Sequence, residues 1–137
     1  MAKLGEIRSD LSAESEGVWV EYELDIEIKL SRLRSPAFRK AMEKITRNKR
    51  RGKRSGMNAF KDDQDMKEKI VPLLAKHIIR DWKNIEDDAG KPIEFSEKKA
   101  VEFLMDDSLE DFYDFIIQQS NASENFRLEE MDDDAGN

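Results

Sequence analysis

The chain has 137 residues, 38% hydrophobic and 40% charged, with a formal net charge of −7. That length fits one domain with a modest core, and the charge density demands a very polar surface. With no cysteine and a single histidine, His77, a disulfide framework and a thiolate metal site are excluded, and zinc or haem is disfavoured.

No apolar run approaches the ~20 residues that span a bilayer, and the N-terminus MAKLGEIRSD lacks the apolar centre of a secretory signal. The expectation is a soluble cytoplasmic protein with no membrane partner. The charge is segregated: residues 1–28 carry −6, residues 29–54 carry +11, residues 55–85 carry +1 and residues 86–137 carry −13. Blocks of like charge are commonly disordered or interacting surfaces, and these two opposed blocks could attract, so self-association is one expectation.

Residues 1–16 are polar and acidic with no sustained period, which predicts a flexible acidic arm. From Val18 the period becomes two. Val18, Val20, Tyr22, Leu24, Ile26, Ile28 and Leu30 share one parity, and Glu21, Glu23, Asp25 and Glu27 the other. This is the pattern of a half-buried strand. Its length exceeds the usual ~5–6 residues, so a hairpin over 18–31 turning at Glu23, Leu24 and Asp25 is expected, although that turn has no Gly or Asn. Trp19 falls on the polar face. It either covers a neighbouring element or stands out as an aromatic anchor for a partner.

Ser35-Pro36 marks a helix start, with Ser as N-cap and Pro where a missing N–H costs nothing. Phe38, Ala41, Met42 and Ile45 form its stripe, which fades near Asn48. A basic run follows, including Lys49, Arg50, Arg51, Lys53 and Arg54, within an expected loop at 47–58. It could grip an acidic protein surface or phosphates, or be a plain solvated loop. The run has no aromatic side chains to stack on bases, so nothing in it argues for sequence-specific nucleic acid.

From Ala59 the helical period returns. Met66, Ile70, Leu73, Leu74, His77, Ile78 and Trp82 make one stripe, with Pro72 expected to kink or break the helix. His77 on that stripe reads as a core or boundary histidine. Then Asp87, Asp88, Ala89 and Gly90 form a polar turn, Pro92 forbids helix, and Ser96 caps a new helix. Ile78, Trp82, Phe95 and Leu104 anchor this unit. Ala100, Val101 and Leu104 face inward from a short helix, with Phe103 on its flank. Asp106-Asp107-Ser108 breaks that helix and caps the next, whose stripe is Leu109, Phe112, Tyr113, Ile116 and Ile117. Phe115 falls off this face and either widens it or points outward to a partner. Residues 128–137 read as a disordered acidic tail.

No catalytic, cofactor-binding or metal-ligating set emerges. Placing Gly90 at the sixth position of a calcium loop puts Ile85, Asp87 and Ala89 at positions one, three and five, so only one ligand is present. There is no Gly-rich phosphate loop, no GxSxG and no Cys/His pair. Nothing among the residues argues for an enzyme, and they predict an α+β domain over 17–127, with an N-terminal β-hairpin packed on four to five α-helices.

The segments GVWV, SRLRSPAFRK and DWKNIEDDAGKPIEFS, followed by DFYDFIIQQSNASENF, stand in an order that resembles the tail assembly chaperones of long-tailed bacteriophages and prophages. The similarity covers roughly residues 17–127. It implies a non-enzymatic protein that binds the tape measure protein while tail tube subunits assemble, acts in the host cytoplasm and is absent from the mature virion. The major tail tube protein is a second implied partner. The alternatives are a phage DNA-associated factor using residues 47–54, and a structural tail or head–tail component.

Overall fold

The computed structural model of the chain describes residues 1–49 and 60–128. The alternation that begins at Val18 forms β1 (Val18–Glu21) and β2 (Glu27–Leu30), paired antiparallel with Val20 opposite Ile28. Ile28 and Leu30 are completely buried, so the parity read from the sequence is the parity of the core. The hairpin reverses at Leu24 and Asp25, whose φ values are 57° and 71°. Two central residues with positive φ characterise a type I′ turn, which matches the twist of the flanking strands. The Asn84 side-chain amide donates to the Asp25 carbonyl at 2.8 Å and holds the turn without a glycine.

Helix α1 (Leu11–Glu16) precedes the hairpin, and Gly17 joins the two. Gly17 has φ 102°, and a Cβ there would lie 3.0 Å from the Arg80 side chain and 3.3 Å from the Leu30 backbone, so a larger residue is strained and crowded. Within residues 1–16, expected as a loose arm, residues 1–8 are exposed while residues 9–16 are fastened to the fold. Asp10 caps α1, Glu14 is buried, and Asp10 N–H donates to the Phe126 carbonyl at 2.6 Å. Glu14 reaches both Arg32 and Arg34, charges that lie too far along the chain for a local pattern to link them.

Helix α2 (Pro36–Lys49) starts at the expected Ser-Pro step. Helix α3 (Asp63–Leu73) is capped by Asp62 and carries Pro72 in its last turn. One helix was expected to continue to Trp82. Instead a π-type turn (Leu74–Ile78) ends it, and β3 (Ile79–Lys83) follows. β3 pairs antiparallel with β2, giving a three-stranded sheet in the order β1-β2-β3. The register shifts between Lys29 and Leu30, which oppose Asp81 and Ile79 and leave Arg80 as an extra residue. Such a bulge turns Ile79 and Trp82, three apart, onto the same core face. A spacing that belongs to a helix is thereby reproduced by a strand.

Residues 84–93 make the expected turn, with Gly90 at φ 84° and Asp87 Oδ1 accepting from Ala89 and Lys91 N–H at 2.9 Å each. Ser96 caps α4 (Glu97–Met105) by accepting from Lys99 N–H, and Asp106 accepts from Ser108 N–H just before α5 (Glu110–Ser120). The helices cover one face of the sheet. Ile28, Leu30, Val71, Leu74, Leu104 and Ile116 are completely buried between the layers. Trp82 joins this core, its ring stacked on Phe103 at 5.0 Å and edge-on to Phe95 at 5.1 Å. No helix among the described residues is long and apolar enough to cross a membrane.

Candidate functional site

Helices α2, α3 and α5 do not close completely over one another. They leave a groove of about 550 Å³, open to solvent. Phe38 and Met42 of α2 form one wall, Met66, Ile70 and Leu74 the floor, and Tyr113 and Ile117 of α5 the other wall. Leu33 lies at the end of the groove nearest the hairpin, where its N–H donates to the Ser120 carbonyl at 2.9 Å. The groove follows from stripe widths. On α5, Phe112 and Ile116 are buried against the sheet, while Tyr113 and Ile117, one position further round, are only half-buried. An apolar stripe wider than its neighbours can cover leaves its edge in a groove.

The groove is nearly free of charge. Among the described residues Asp114 is the one charged residue lining it, and beside it Lys67 Nζ sits 4.7 Å over the Tyr113 ring and 3.0 Å from Glu110. Burial pushes the Tyr113 hydroxyl above its ordinary pKa, so it stays a neutral donor at physiological pH. Thioethers at Met42 and Met66 are unbranched and can adapt to varied apolar surfaces. The arrangement can take the apolar face of a helix; it has no nucleophile–base pair.

Trp19 is 38% exposed on the face of β1 away from the helices, with Lys83 Nζ 4.2 Å from its ring centroid. It is an exposed ring covered on one side by a lysine, and it is remote from the groove residues in the chain and absent from their lining. Phe115 does not point outward. It is half-buried, with its ring 4.5 Å from that of Tyr22, and so widens the core stripe. Arg50, Arg51, Lys53 and Arg54 lie outside the described residues, as do the side chain of Lys49 and the tail from residue 129. Of the sequence-selected partner residues, the two that are described, Trp19 and Phe115, have different neighbours: Lys83 and Tyr22. The groove residues were legible only as inward stripes. The available signal was that the α5 stripe carries two adjacent pairs, Phe112-Tyr113 and Ile116-Ile117, more apolar width than one contact needs.

Among the described residues no group of three or more His, Asp or Glu side chains could hold a metal ion. His77 is half-buried, and its pKa is lowered by burial first, then by Lys76 and Arg80. Compared with known proteins, residues 33–137 match the family model described as YdaY prophage protein. No curated protein and no solved structure matches the chain.

Proposed function

The chain belongs to the YdaY prophage protein family, and from that premise we propose that this phage protein is a non-enzymatic tail assembly chaperone that binds the tape measure protein during tail tube assembly. The observation that carries the reading is the open groove between α2, α3 and α5. A groove with apolar walls and a few charges beside it suits an amphipathic helix laid along it, with anchors at i, i+3, i+4 and i+7. A long helical client with exposed apolar faces is what such a chaperone must keep from aggregating. The segment order set out above supports the same reading, and a net charge of −7 favours solubility of a complex with such a client. On this reading the protein works in the host cytoplasm, can meet tube subunits as well, and leaves before the virion is complete.

The test is co-expression with the tape measure protein of the same prophage, followed by capture through a tag on this chain. The parent should retain the client in solution. Tyr113→Asp and Ile117→Asp, which place a charge on the half-buried wall, should lose it while keeping a cooperative melt. If the parent fails to capture the client, the reading falls. DNA binding that weakens steeply with salt would point instead to a DNA-associated factor. Detection in purified virions would point to a structural component.

A further inference from the structure

A second concave surface lies on a different face, between the hairpin turn, residues 85–93 and the start of α5. It encloses about 520 Å³. Its floor is apolar and aromatic: Tyr22, Ile26, Ile93, Phe103, Leu109 and Phe112. Its rim is acidic: Glu86, Asp87, Asp88 and Asp106, with no Lys or Arg in the lining among the described residues. Asp87 and Asp106 each commit an oxygen to the local turns, accepting backbone N–H groups. The carboxylates of Glu86 and Asp88 are exposed and make no hydrogen bond or ion pair among the described residues.

We infer that this cleft docks a basic amphipathic segment of a protein partner, with its apolar side chains on the Tyr22–Ile26–Leu109 floor and its Lys or Arg heads at the Glu86 and Asp88 carboxylates. The chemistry discriminates between ligand classes. A neutral apolar ligand would desolvate the rim carboxylates without compensation. An anionic ligand is repelled. A segment with Lys or Arg beside Leu or Ile meets both demands, since the aliphatic stems cover apolar surface while the charged heads remain at the rim. The aromatic floor adds attraction for a cation held over its rings. An adjoining concavity lined by Glu21, Asp25 and Glu27 shares Ile26 and Glu86, so the negative field extends past the hairpin turn and steers the same class of partner. This cleft is separate from the helix groove, and the inference does not depend on the chaperone reading.

The probe is a synthetic Leu/Lys amphipathic peptide of about five helical turns, titrated into the isotope-labelled full chain and followed by NMR. A Leu/Glu counterpart and a Lys/Ser peptide without apolar residues are the controls. The Leu/Lys peptide should bind, shift the amide signals of Ile26, Ile93 and Leu109, and bind more weakly as salt rises. The double variant Glu86→Gln/Asp88→Asn, on exposed positions, should weaken it about three- to tenfold. Several outcomes overturn the inference: no binding, equal binding of either control, shifts confined to Phe38, Met42 and Ile70, or an unchanged affinity in the double variant. Peptide binding without tape measure capture would sink the chaperone reading and leave the cleft standing; capture without peptide binding at the cleft would do the reverse.

Discussion

Glu14 Oε2 lies 2.9 Å from Arg32 Nη1, and both side chains are more than nine-tenths removed from water. Arg34 reaches the same carboxylate oxygen at 2.8 Å from a half-exposed position. The Arg32 guanidinium also stands 5.6 Å over the Phe126 ring. One buried pair therefore ties the N-terminal helix, the end of the hairpin and the last described turn together. Removing one partner of a buried pair strands the other, at about 3–5 kcal/mol. Glu14→Ala should lower unfolding free energy by that amount, and Arg34→Ala, on the half-exposed side, by much less. Urea denaturation of both variants checks this; equal losses would mean that the exposed Arg34 contact alone carries the cluster.

The same carboxylate makes stability pH-dependent. The Arg34 hydrogen bond, followed by that of Arg32, outweighs burial and holds Glu14 below its ordinary pKa of 4.5. A depressed folded pKa contributes stability above the unfolded value and loses it as pH falls through the folded one. His77 acts at milder acidity: burial lowers its pKa below 6.5, so the fold prefers it neutral and loses stability as pH falls beneath that value. Urea midpoints should therefore fall in two stages, below about pH 6.5 and again below about pH 4.5. His77→Gln should remove the first stage only, and Glu14→Gln should shrink the second, to which the Asp106 carboxyl, also held low by its Ser108 hydrogen bonds, contributes.

Ile28 is completely buried on the central strand, opposite Trp82 of β3. Burying an Ile side chain contributes about 1.5–3 kcal/mol, and a carboxylate in its place adds an uncompensated charge. Ile28→Asp should be unfolded at ambient temperature by circular dichroism, whereas Lys29→Asp, one residue along and on the other face, should fold.

Trp82 is 5% exposed and donates its indole N–H to the Ile93 carbonyl at 2.8 Å. Trp82→Ala should cost about 3–5 kcal/mol. In a Trp19→Phe background the remaining indole fluorescence should resist iodide. Free quenching would contradict the stacked geometry with Phe103.

Leu24 is 89% exposed at φ 57°. A left-handed conformation costs an ordinary L-residue roughly 1–2 kcal/mol, and Asn tolerates it better. Leu24→Asn should therefore raise stability by about 0.5–1 kcal/mol, read as a higher urea midpoint at unchanged slope. A fall would show that Leu24 makes contacts worth more than the strain.

The sequence by itself determined the elements whose signals are local. Val18 to Leu30 alternates, Ser35-Pro36 and Ser96 start helices, and Gly90 with Pro92 marks a turn; each depends only on backbone sterics and neighbours a few residues away. The core followed wherever a stripe was simple, as at Ile28, Ala100 and Leu104. Tertiary structure decided the rest. Whether Ile79 and Trp82 share a helix face or a strand face turned on a partner strand some fifty residues earlier, because a bulge at Arg80 gives a strand the apparent period of a helix. Whether residues 9–16 pack turned on Arg32 and Arg34, since a buried carboxylate is tolerable only beside charges that folding brings to it. Both concave surfaces, likewise, are made of side chains whose types mark them as core. Only the fit between neighbouring elements, which no local pattern encodes, leaves Tyr113 and Ile117 at the edge of one groove and Tyr22 and Ile26 on the floor of the other.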